Sequence, residues 1–141
     1  MKKNFCIVIA DFYPDITAML EKGSTQKITE SKNKKKLNIG YDLIYVPGVF
    51  EIPVTIAKLI NKYDAFVALG CVIKGETPHF DLISKAVVNA IMNLSVKNKK
   101  PIGNGIITCL SKQQAIERAD PNKKNKGGEA AAAVLETLEN F

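Results

Sequence analysis

The chain has 141 residues, 46% of them hydrophobic, and a formal net charge of +6. That length suits a single domain, residues 1–141, burying about 68–70% of the surface its unfolded chain would expose. The three cysteines, Cys6, Cys71 and Cys109, are odd in number and lie far apart without a C-x-x-C pair, so they signal neither a disulfide framework nor a zinc site and fit a reducing cytoplasm best.

The first apolar run, FCIVIA, imitates a signal peptide, but it stops after six residues at Asp11 with no small-residue cleavage site behind it. No later run reaches membrane-spanning length, so no membrane contact is expected. Phe5 to Ile9 reads as a strand, and Pro14 to about Lys32 as a helix opened by proline. Asp42 to Val46 is a second strand, leading through Pro47-Gly48 into a helix from Phe50 to about Lys62. Ala65 to Leu69 is the third strand, Pro78 to Val96 the third helix, Ile102 to Thr108 the fourth strand and Ser111 to Ala119 the fourth helix. Gly128 to Leu138 closes the chain as a helix whose Glu129 suits the positive end of its dipole. Strands separated by helical crossovers imply a parallel sheet covered on both faces.

The lysines bunch at Lys32 to Lys36, Lys97 to Lys100 and Lys123 to Lys126, all in expected connections and without interleaved aromatic residues. That distribution reads as solvated loops, so no nucleic-acid partner is expected. Arg118 is the only arginine in this lysine-rich chain.

In a parallel sheet the C-terminal strand ends lie along one edge, which gathers Asp11 to Tyr13, Val49 to Glu51 and Lys74 to His79 into one cleft. Thr77 is placed to cap the third helix, with Pro78 at its first position, and the amides of Gly75, Glu76 and Thr77 would then be free to hold an anion near Lys74 or Arg118. An ordinary helix cap accounts for Thr-Pro as well. His79, the only histidine, falls in the first helical turn, where an imidazole can take and give a proton near neutral pH. A surface histidine with no task is the alternative; the cleft, the anion site and the nearby Glu51 weigh against it. Phe12 and Phe50 stand where polar turn residues are usual, so they either pack the sheet edge or face a flat ligand.

Four ordered motifs, VPGVFEIP (Val46 to Pro53), LGCVIKGETPHFD (Leu69 to Asp81), QAIERA (Gln114 to Ala119) and NKGGEAA (Asn125 to Ala131), cover nearly the whole chain. Together they resemble the 6,7-dimethyl-8-ribityllumazine synthases of riboflavin biosynthesis. The resemblance implies a flavodoxin-like three-layer α/β/α sandwich with a four-stranded parallel sheet. It also implies condensation of 5-amino-6-(D-ribitylamino)uracil with 3,4-dihydroxy-2-butanone 4-phosphate, without metal or organic cofactor. By position, Phe12 would stack on the pyrimidine, while Val49, Phe50, Glu51, Cys71, Val72 and Ile73 would line the ring and ribityl pocket. Glu76, Thr77 and Arg118 would bind phosphate, Lys126 would reach the ligand, and His79 would move protons.

Two residues depart from the common pattern: Lys74 replaces an arginine, losing a bidentate grip, and Asn104 replaces a phenylalanine. Asn104 is expected at the start of strand four, at the opposite end of the sheet from His79, so it would serve a neighbour's cleft. The third helix agrees, because Phe80, Ile83, Val87, Ala90, Ile91 and Leu94 form one apolar face while Val88 and Met92 fall on the other side. The resemblance implies a homopentamer, in some relatives a shell of twelve pentamers, with small-molecule substrates bound at subunit boundaries. A flavin- or lumazine-binding module of the same fold without turnover is the alternative function.

Overall fold

The computed structural model describes residues 2–141. Four strands, β1 (Lys3–Ala10), β2 (Ile39–Val46), β3 (Ala65–Ile73) and β4 (Ile102–Cys109), form one parallel sheet in the order β2-β1-β3-β4. Five α-helices alternate with them: α1 (Pro14–Lys35), α2 (Ile52–Leu59), α3 (His79–Asn98), α4 (Lys112–Ala119) and α5 (Lys126–Glu139). A short 3-10 turn, Val49–Glu51, leads into α2.

The layers follow from the two-residue period of a strand. Phe5, Ile7 and Ile9 of β1, with Val67 and Leu69 of β3, pack against Ile16 and Leu20 of α1, Ala115 of α4 and Ala131 and Val134 of α5. Cys6 and Val8 of β1, with Phe66 and Ala68 of β3, face the other way, onto Ile52 and Ile56 of α2 and Val87 and Ile91 of α3. Both faces of the two central strands are therefore buried, which is why their sequences read as unbroken apolar runs. The expected α/β/α sandwich is what forms.

The boundaries differ from expectation in instructive places. β3 runs on to Ile73, four residues past Leu69, because β4 continues beside it and the Lys74 N–H donates to the Cys109 carbonyl at 2.9 Å. α1 runs on to Lys35, so Lys32, Lys34 and Lys35 stand in its last turn, where cations complement the negative helix end, rather than in a loop. Lys36 and Lys99 end α1 and α3 in the left-handed conformation. Pro78, not Thr77, occupies the cap position of α3.

Asn104 is not at the end of the sheet. It is the third residue of β4, in register with Ala68, and so stands back from the C-terminal end of β3 by five residues, about 16 Å, as well as one strand outward on the sheet's edge strand. Met92 is 60% exposed and Val88 half-buried on α3, with Leu82 and Val96 exposed beside them, so that helix is apolar on two sides.

Candidate active site

α1 leaves β1 toward one face of the sheet and α3 leaves β3 toward the other, although β1 and β3 are neighbours. This divergence opens a crevice at the C-terminal edge, the usual ligand position in an open parallel sheet. A cavity of about 600 Å³ lies there. Phe12, Val49, Phe50, Cys71, Val72, Ile73 and His79 line it, as the sequence predicts, with Tyr13, which the sequence gathers into the same cleft, and Gly48 and Ile83, which it does not place there. Ile83 was findable, since it stands one helical turn after His79 on the same side of α3.

Local packing builds the walls. Gly70 near the end of β3 has no Cβ, and one placed there would stand 2.6 Å from Val49 Cγ1, so the 3-10 turn can settle directly on the strand. That brings Phe50, next in sequence, to the cavity. Phe12 and Phe50 are 70% and 64% exposed; of the two alternatives, packing the sheet edge fails. The Phe12 ring meets the Tyr13 ring edge-on, with centroids 5.0 Å apart, and lines the cavity.

The wall is chemically quiet apart from one group. Cys71 is 5% exposed, and burial, followed by the neighbouring Cys109, pushes its thiol up to about 12, so it stays protonated and apolar in character. His79 opens α3, exposed at the mouth, with its backbone N–H donating to Thr77 Oγ1 at 3.4 Å. Glu76 and Thr77 are exposed in the connection before it and are not part of the lining. Among the described residues no protein acceptor takes the N–H groups of Gly75, Glu76 or Thr77. Glu51 is also outside the lining; its carbonyl accepts from Thr55 Oγ1 at 2.8 Å.

The remaining predicted residues form a second concavity. Asn104, Arg118 and Lys126 line a hollow of about 350 Å³ on the outer edge of β4, together with Lys124 and Glu129. It shares no residue with the first cavity. Asn104, Ile106 and Thr108 turn their backbone groups outward on this strand, since in a parallel pair alternate residues, here the odd-numbered ones, carry the hydrogen bonds to β3. Side chains answer two of these groups: the Ile106 N–H donates to Asn104 Oδ1 at 3.1 Å, and Arg118 Nη1 donates to the Thr108 carbonyl at 2.8 Å. Lys126 Nζ pairs with the Glu129 carboxylate at 3.2 Å. Three cations thus surround a hollow holding one carboxylate, a setting suited to an oxyanion.

Among the described residues no helix is long and apolar enough to cross a membrane, and no three metal-ligating side chains cluster.

The family model for 6,7-dimethyl-8-ribityllumazine synthase matches residues 2–141. A 6,7-dimethyl-8-ribityllumazine synthase 1 of Rhodopseudomonas palustris is 43% identical over 139 residues, spanning 94% of this chain and 82% of that protein. The 6,7-dimethyl-8-ribityllumazine synthase of Bartonella tribocorum is 45% identical over 137 residues, 95% of this chain and 87% of its own. That of Agrobacterium fabrum is 41% identical over 145 residues, 98% and 94% of the two chains.

Proposed function

The chain belongs to the 6,7-dimethyl-8-ribityllumazine synthase family, and from that premise we propose how its two concavities divide the reaction. The protein condenses 5-amino-6-(D-ribitylamino)uracil with 3,4-dihydroxy-2-butanone 4-phosphate to 6,7-dimethyl-8-ribityllumazine, a transferase step of riboflavin biosynthesis. The observation that carries the site reading is the coincidence of two exposed aromatic rings, an apolar cavity and the only histidine at one strand edge.

In this reading Phe12 stacks on the pyrimidine, and Val49, Phe50, Cys71, Val72 and Ile73 enclose the ring and its ribityl chain, with Glu51 at the rim. The free amides before α3, at Glu76 and Thr77, take the phosphate of the second substrate. The aryl amine attacks the ketone, water leaves to give an imine, phosphate is eliminated, and ring closure with loss of water completes the second ring. Each step moves a proton, and His79 at the mouth carries it. No step needs a strong protein nucleophile, which agrees with a buried, protonated Cys71. Holding two small substrates in register can lower the barrier by roughly 7–11 kcal/mol. General acid–base help from His79 adds about 10²–10⁴-fold.

Asn104, Arg118 and Lys126 complete the site from a neighbouring subunit, where Arg118 clamps the phosphate against the Glu76 and Thr77 amides and Lys126 reaches the same substrate beside it. Support comes from their shared cationic hollow on the open edge of β4, away from their own chain's cavity, and from the exposed apolar residues Leu82, Met92 and Val96 on α3. A head-to-tail contact that brings this hollow to the next chain's cavity repeats around a ring, and a pentamer is the assembly proposed, alone or as the unit of a larger shell. The three free cysteines support a reducing cytoplasmic setting.

Mixing both substrates with purified protein tests the activity. Lumazine absorbance and fluorescence are expected to rise as phosphate is released; tight binding of the aromatic substrate with no product would indicate a binding module instead.

A further inference from the structure

Gly23 lies in the middle of α1, where glycine is a poor helix former, and Ser24 beside it is one of only two buried polar residues among those described. Both touch the start of α5. A Cβ on Gly23 would fall inside van der Waals contact with Asn125 Oδ1 and 3.0 Å from the Gly128 nitrogen. Ser24 Oγ, fully buried, donates to the Gly127 carbonyl at 2.6 Å. Gly127 in turn lies so close to the Leu20 carbonyl that it too has no room for a side chain.

The residue trapped by this contact is Asn125. It stands in the left-handed conformation, φ 47°, at the cap of α5, and its Oδ1 accepts from the Gly128 N–H at 3.2 Å. Its side chain cannot swing away from a larger residue at position 23 without giving up that cap. The displacement would pass instead to the backbone at Asn125, and Lys126 is the next residue. Lys126 lines the cationic hollow with Arg118 and Asn104, and its ammonium is already steered by Glu129.

We propose that Gly23 and Ser24 are positioning residues: by letting the first turn of α5 seat directly on α1, they set, through Asn125, where the Lys126 ammonium stands beside Arg118. The inference rests on the reading that this hollow serves the phosphate-bearing substrate. It adds that residues on a different helix, outside every cavity wall described above, control the grip on that substrate. Positional errors of about an ångström at a reacting site can cost up to about 100-fold.

Gly23→Ala, Ser24→Ala and Lys126→Ala test this by steady-state kinetics with each substrate varied in turn. Ile28→Val, one turn further along α1 in the core, controls for a general loosening of the helix. Gly23→Ala is expected to raise KM for the butanone phosphate about tenfold and Ser24→Ala about threefold, with KM for the ribitylaminouracil unchanged. Ile28→Val should leave both KM values alone. If folded Gly23→Ala and Ser24→Ala keep a wild-type KM for the phosphate, or raise both KM values equally, or if Ile28→Val gives the same split, the positioning role is wrong. Should Gly23→Ala fail to fold, Ser24→Ala decides. A Lys126→Ala protein with unchanged KM for the phosphate would overturn the underlying site reading, and this proposal with it, whereas a Lys126 effect without a Gly23 or Ser24 effect overturns the proposal alone.

Discussion

Arg118 Nη1 donates to the carbonyl of Thr108 at 2.8 Å and lies 3.9 Å from Cys109 Sγ, so the only arginine is held against the outer edge of β4 by one corner of its fork. The rest of the guanidinium is available to an anion in the hollow it lines. Lysine at this position keeps the charge but cannot hold the edge and the anion together. Arg118→Lys should therefore weaken use of the butanone phosphate by roughly 1–3 kcal/mol in kcat/KM, with little effect on the ribitylaminouracil. Equal weakening toward both substrates would assign Arg118 to the architecture of the edge instead.

If His79 carries the proton, His79→Ala should slow turnover by about 10- to 1000-fold while substrate binding stays nearly intact, because positioning by the cavity survives its loss. A wild-type rate would remove His79 from the reaction. Activity is also expected to persist in excess chelator; loss that a divalent metal restores would overturn the cofactor-free chemistry.

Shared sites predict complementation. A His79-defective and an Arg118-defective variant, unfolded together in equal amounts and refolded, should recover about a quarter of wild-type activity, since each site needs one intact half from each of two neighbours. Subunits that demonstrably mix while activity stays at the level of the single variants would place the whole site within one chain.

Gly103 faces α5, and a Cβ there would stand 2.5 Å from the Ala130 carbonyl and 2.8 Å from Val134 Cγ2. Both neighbours belong to the packed layer under β4, so they cannot simply move aside. Gly103→Ala should lower stability by about 1–3 kcal/mol in denaturant titration. An unchanged midpoint would mean that α5 shifts freely on the sheet.

The layers of this protein were legible because their signals are local. Every residue of β1 from Phe5 to Ala10 is buried, so the run is apolar without alternation, as a strand covered on both faces must be. Phe12, Phe50 and His79 came together for a similar reason: in a parallel sheet each strand end delivers its loop to the same edge, whichever strand it is. The register at the ends was not local. β3 extends to Ile73 because β4 lies beside it, and nothing within the run Ala65 to Ile73 announces that partner. Strand order was likewise beyond reach: the sequence places Asn104 near the start of β4, back from the C-terminal edge, but only the folded order β2-β1-β3-β4 makes that strand an open edge. The hollow shared by Asn104, Arg118 and Lys126 depends on the same long-range choice, since three elements meet there only after α5 has seated on α1 and β4. Periodicity and turn chemistry act over a few residues and determined what each segment is. Which segments touch is decided by packing the whole chain at once, and that is what brought Asn104, Arg118 and Lys126 to one hollow.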